Sequence, residues 1–135
     1  MSKYMDRARE LRAIVTPHYN CAQSVLLPFA PDAGMTEETA YLMAANFGAG
    51  MKRASVCGAI TGGLMALGLH GVDDNATIAA FHRRLRDNHQ GELDCGPLLK
   101  ANADLGREKK PHCDEMVYEC VALVEEILRE KGKIQ

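Results

Sequence analysis

Tryptophan is absent from this chain, and three phenylalanines with four tyrosines make up its whole aromatic content. A core without many bulky rings must be built from aliphatic and small side chains, which favours close approach of helices. Also missing is an excess of positive charge: Lys and Arg number 16 against 18 Asp and Glu, giving a net charge of −2. The basic residues are scattered among acids, so the basic stripe that nucleic-acid binding needs is not built, and nucleic acid is not an expected partner. No apolar run reaches the ~20 residues of a bilayer span. The longest, Gly58 to Leu69, is short and diluted by glycine, so no membrane insertion is expected. The first residues, Met1-Ser2-Lys3-Tyr4-Met5-Asp6-Arg7, turn charged at once without the apolar core of a secretory signal. The expectation is a soluble, cytoplasmic protein.

Period-2 alternation of β-branched and aromatic residues is nearly absent too, and helical signals dominate. The 135 residues suit one domain, residues 1–135, that buries roughly two-thirds of its unfolded surface. The fold class expected is all-α, a compact bundle of five to seven helices. A first helix is expected from Ser2 to about Thr16, ended by Pro17, and a second from Cys21 to about Leu27, capped by Asn20 and closed by Pro28. Thr36 caps a third, with Tyr41, Leu42, Ala45 and Phe47 as its buried stripe, and Gly48-Ala49-Gly50 stops it. A fourth runs from Val56 to about Leu69. Asp73 or Asp74 caps a fifth with Ile78, Phe81 and Leu85 inward, and Pro97 marks a short sixth through about Ala101. The last starts at His112 or Cys113 and runs to about Lys131, with Met116, Val117, Cys120, Val121, Val124, Ile127 and Leu128 on its apolar face.

Against this background stand five cysteines with no C-x-x-C pair and no C-x-x-C-H, so covalent haem is not expected. In a reducing compartment permanent disulfides are rare, and an odd count argues further against a fully paired framework. Cys21, Cys57, Cys95 and Cys113 fall at or next to expected helix starts, where unpaired N–H groups and the helix dipole favour thiolate over thiol. They are 36, 38 and 18 residues apart, so any shared site must be assembled by the fold. Three chemistries remain open. Four thiolates suit an iron–sulfur or other metal electron-transfer site, with a two-iron cluster favoured. A thiol of lowered pKa suits dithiol/disulfide exchange, with Cys57 or Cys113 attacking and a neighbour resolving. A structural zinc site in a non-enzymatic protein uses the same four residues. Cys120 reads as core packing on the last helix. His18 and His112 stand near Cys21 and Cys113 as candidate proton partners or substitute ligands, while His82 and His89 read as a solvated face. Gly48-Ala49-Gly50 with Lys52-Arg53 could form an anion-binding nest, although its ordinary role is to swing the chain round towards Cys57. Asp94 beside Cys95 would oppose thiolate there by like charge.

The central motif is Cys57-Gly58-Ala59-Ile60-Thr61-Gly62 at the head of a helix. Glycine inside a helix costs ~1 kcal/mol relative to alanine, so Gly58, Gly62 and Gly63 ask for a reason: tight packing, or room beside the Cys57 sulfur. Gly58, Gly62 and Ala66 form a smooth ridge that could serve between two chains as well as within one, giving a homodimer. Together with Tyr19-Asn20-Cys21-Ala22-Gln23-Ser24-Val25, Phe47-Gly48-Ala49-Gly50-Met51 and the stretch from Val56 to Leu69, this motif resembles the C_GCAxxG_C_C family. These are small bacterial and archaeal proteins named for four widely spaced cysteines and held to be redox-active. The resemblance covers most of the chain and implies that Cys21, Cys57, Cys95 and Cys113 are the family cysteines, with Cys120 outside the set. The family is similar to the non-haem part of split-Soret-type cytochromes, which implies an iron–sulfur site. The partner implied is a redox protein or a small thiol or disulfide.

Overall fold

The computed structural model describes residues 2–135. Seven α-helices carry the fold, and among the described residues the one extended pairing is an isolated bridge between Val56 and Asp94. α1 is Lys3–Ala13, started by Ser2, whose Oγ accepts the Met5 N–H at 3.0 Å. It stops three residues short of Thr16, because Ile14-Val15-Thr16 is a β-branched run ahead of a proline. α2 is Cys21–Leu26 and opens with a full capping box, in which Asn20 and Gln23 each accept the other's backbone N–H. Pro28 then tightens the chain into short 3₁₀ turns over Leu27–Phe29 and Pro31–Ala33.

α3, Glu37–Met43, buries a different face from the one expected: Ala40 and Ala44 are inside, whereas Leu42 is 67% exposed. The cause is the closeness of α2. The Gln23 side chain donates to Tyr41 O at 2.8 Å, and Asn20 Nδ2 donates to Ala44 O and Ala45 O, both at 3.2 Å. Side chains from the cap of α2 thus satisfy the free carbonyls at the end of α3, and only small residues fit between.

α4 is Gly58–Leu69, two residues shorter at its start than expected, with Cys57 as N-cap. It is apolar nearly all round and therefore sits in the middle of the bundle. A Cβ on Gly62 would lie 2.5 Å from Ala22 O, and one on Gly58 would lie 2.9 Å from Phe47 O. The ridge is therefore filled by α2 of the same chain and is not free for a second copy. Gly63 leaves room for the ring of Phe81, whose Cζ would be 2.9 Å from an added Cβ. Packing supplies the reason these glycines asked for.

α5, Asn75–Asn88, starts at Asp74, whose carboxylate accepts the Thr77 N–H at 3.0 Å, and it buries Phe81 and Leu85. α6, Cys95–Asp104, runs past Ala101 because Asn102 is buried and its amide donates to Arg107 O and Glu108 O, tying down the connection to α7. α7 is Lys109–Glu130, a full turn earlier at its start than expected. Glu108 is the cap, and Pro111 is the third helical residue, a place where a missing N–H costs nothing because the first turn has no intrahelical acceptors.

Between α3 and α4 the backbone turns left-handed. Ala49, Met51, Lys52 and Ala54 join Gly50 at φ between 52° and 64°. Each non-glycine residue there costs roughly 1–2 kcal/mol. Close bonds hold the segment: Ser55 N–H donates to Gly50 O at 2.8 Å, Cys95 N–H to Ser55 O at 2.6 Å, and Cys57 N–H to Leu93 O at 2.9 Å. This strained turn sets Cys57 and Cys95 side by side at the starts of α4 and α6.

Candidate functional site

Cys21, Cys57, Cys95 and Cys113 line one cavity of about 710 Å³. That is the size range of small-molecule sites, roughly 300–1,000 Å³. Cys21 is the first residue of α2 and Cys95 the first of α6, as expected, and Cys57 is the residue just before α4. Cys113 differs: it lies inside α7, past the first four residues, so the free N–H groups of the helix start are not what controls it. All four are free thiols. Cys120 is fully buried on the core side of α7, lines no part of the cavity, and has its thiol pushed well up by burial.

The closest electronic link joins α2 to α7. The Cys21 and Cys113 thiols influence each other's ionisation more than any other group does. Cys21 is the first cause lowering Cys113 to about 7, and Arg12 and Lys109 add to it against the cost of burial. Cys21 is correspondingly held protonated, well above the ordinary thiol value, by Cys113 and by burial. Burial pushes Cys57 up to about 11, while the N–H groups of Ala59 and Ile60 pull the other way. Cys95 is also raised, by burial first and then by Cys113, with no part played by Asp94. Of the four thiols, Cys113 is therefore the one that ionises near neutral pH.

Arg12 is the residue that sequence reasoning missed. It is only 8% exposed. Its Nε donates to Asp114 Oδ1 at 2.7 Å and its Nη1 to Tyr19 O at 2.9 Å, so it braces the segment before Cys21 against α7. The signal was present, since Arg12 follows Ala8 and Leu11 at the four- and one-residue steps of the buried stripe of α1. Lys110 adds a second clamp, donating to Arg12 O and to both Asp114 oxygens at 3.0–3.1 Å.

His18 and His112 both line the cavity. His112 is held below the usual histidine value by burial, with His89 and Arg107 adding to this, so it is neutral near pH 7. His89 is taken up by Glu119, at 2.7 Å, and does not join His82 at a site. Among the described residues no group of three His, Cys, Asp or Glu side chains could hold a metal ion. The four sulfurs share one cavity without forming such a group.

No curated protein and no solved structure matches the chain. A family model matches residues 19–127, a span that holds all five cysteines and the whole of α2 to α6. The chain belongs to the C_GCAxxG_C_C family, whose members are described as putative redox-active proteins.

Proposed function

We propose that the protein is a thiol–disulfide redox protein whose working pair is Cys113 and Cys21. The observation that carries this reading is the placing of Cys21 and Cys113, on the packed helices α2 and α7, at one accessible cavity where each governs the other's ionisation. One sulfur ionises near pH 7, the useful range for attack, and its neighbour is held protonated, ready to resolve. Of the two cysteines expected to attack, Cys113 is favoured over Cys57, which burial keeps as a thiol.

The steps balance as a two-electron exchange. The Cys113 thiolate attacks one sulfur of a disulfide R–S–S–R, forming Cys113–S–S–R and expelling RS⁻. Cys21 loses its proton to that leaving thiolate and attacks the Cys113 sulfur. The Cys21–Cys113 disulfide forms, and the second RS⁻ leaves and takes a proton from solvent. The protein dithiol is oxidised, the substrate is reduced to two thiols, and an external dithiol or reduced partner protein returns the two electrons. Arg12 and Lys109 stabilise the attacking thiolate.

The test is to purify the protein without oxygen, assay iron, zinc and acid-labile sulfide, then add one equivalent of a small disulfide and map the product by peptide mass. A metal-free protein that forms one Cys21–Cys113 bond is the expected result. Iron with matching sulfide would favour an electron-transfer cluster, zinc alone a structural site, and a disulfide through Cys57 and Cys95 a different working pair.

A further inference from the structure

The cavity differs in charge from the chain that forms it. Acids outnumber bases in the sequence, 18 to 16, yet the lining contains Arg12, Lys52, Lys109 and Lys110 and, among the described residues, no aspartate or glutamate. Asp114, just behind the wall, is set against Arg12 and Lys110. With that carboxylate and the Cys113 thiolate counted, the lining keeps two positive charges in excess, and the two lysines apart from Asp114 are Lys52 and Lys109. Neither has a carboxylate partner among the described residues; Lys52 Nζ donates only to the amide oxygen of Asn46, at 2.8 Å. The walls between them are apolar, with Tyr19, Leu98, Leu99 and Met116 facing the space.

Lys52 is delivered to this cavity by the strained left-handed turn, where it has φ of 57°. Backbone held in such a region persists where the surrounding structure over-determines it, and such sites gather at ligand clamps. A low-dielectric pocket with unmatched cations focuses the field and draws anions in.

We infer that the cavity selects anionic organic disulfides, molecules with an apolar arm around the S–S bond and carboxylate ends that meet Lys52 and Lys109. The inference rests on the dithiol reading and names the substrate class of that same site. The apolar walls take the arm, the thiolate of Cys113 meets the sulfur, and the two lysines fix the ends.

The experiment uses the full chain and three disulfides: 3,3′-dithiodipropionate, bis(2-hydroxyethyl) disulfide and cystamine, which are anionic, neutral and cationic. The rate of oxidation of the reduced protein by each is measured at low and high salt, and selectivity is the anionic rate divided by the neutral rate in the same protein. Raising salt to 0.5 M should lower selectivity about tenfold through screening. Lys52→Gln should lower it several-fold at low salt, and Lys52→Arg should restore it. Selectivity unmoved by salt and by Lys52→Gln overturns the inference. Octanedioate, which has the length and charge of the anionic disulfide but no S–S bond, separates the two layers. It should slow alkylation of Cys113 by iodoacetamide, while 1,8-octanediol should not. If octanedioate protects but no disulfide is reduced, the anion site stands and the redox reading falls. If neither happens, both fall.

Discussion

Adding one methyl group to α4 at two places should change stability in opposite directions. At Gly62 a Cβ would lie 2.5 Å from Ala22 O and 3.0 Å from Ala22 Cα, so α2 would have to retreat by about 0.9 Å to reach ordinary contact at 3.4 Å. The atoms in the way are backbone, which cannot swing aside as a side chain can. Overpacking of this kind costs roughly 1–3 kcal/mol. The change to alanine returns about 1 kcal/mol of helix propensity. Because the obstacle is backbone at 2.5 Å, the upper part of that cost applies, and Gly62→Ala should lose about 1–2 kcal/mol, with melting temperature falling by about 3–6 °C per kcal/mol for a domain of this size. At Gly68 an added Cβ meets nothing within 4 Å. Gly68→Ala should gain about 0.4–1 kcal/mol by restricting the unfolded chain. Urea and thermal melts of both variants beside the parent measure this directly. If Gly62→Ala matches or exceeds the parent, the close approach of α2 and α4 is refuted. So then is the reason given for the glycines of the motif.

Arg12→Gln should destabilise by about 2–3 kcal/mol in urea melts, since it strips a buried bond from Asp114 while Lys110 still holds that carboxylate. It should also move Cys113 alkylation to higher pH; a variant as stable as the parent would show that Arg12 braces nothing. Cys120→Ser should cost roughly 1–3 kcal/mol by burying a hydroxyl, yet leave the Cys21–Cys113 exchange unchanged, and loss of exchange would place Cys120 in the site. Cys57 makes the fold sensitive to alkali. Its thiol ionises near 9.0 when unfolded and at about 11 when folded, so the folded state holds the extra proton in that window. Stability is full below pH 9 and falls as pH rises towards 11, by on the order of 2 kcal/mol from this group. The difference between parent and Cys57→Ala melts across that range should show the slope; parallel curves would contradict it.

Much of the fold was legible because it is written in local chemistry. Ser2, Asn20, Thr36 and Asp74 each cap a helix through their own side chains, and such bonds span only three residues. The start of α7 was less legible: a proline is tolerated in the first helical turn, so Pro111 can stand before the helix or inside it, and here the Asn102 amide ties down the Glu108 carbonyl one residue before the helix begins. The exposed Leu42 and the left-handed turn were hidden because both depend on partners far along the chain. Ala49, Met51 and Lys52 carry no sequence sign of positive φ, which is imposed by bonds from Ser55 and Cys95. The four cysteines of the cavity could be chosen from the sequence, and Cys120 set apart by its stripe. Which two govern each other's ionisation could not, because that follows from how α2 lies on α7.

The most direct measurement of the central claim is the pH dependence of Cys113 alkylation, read by peptide mass in the parent and in Cys21→Ala. In the parent, Cys113 should react first among the five cysteines with a midpoint at about 7. In Cys21→Ala the midpoint should rise towards the ordinary thiol range, because the Cys21 thiol, its largest cause, has gone. A Cys113 that titrates like a free thiol in both proteins, or a Cys57 that reacts ahead of it, would contradict the assignment of the working pair.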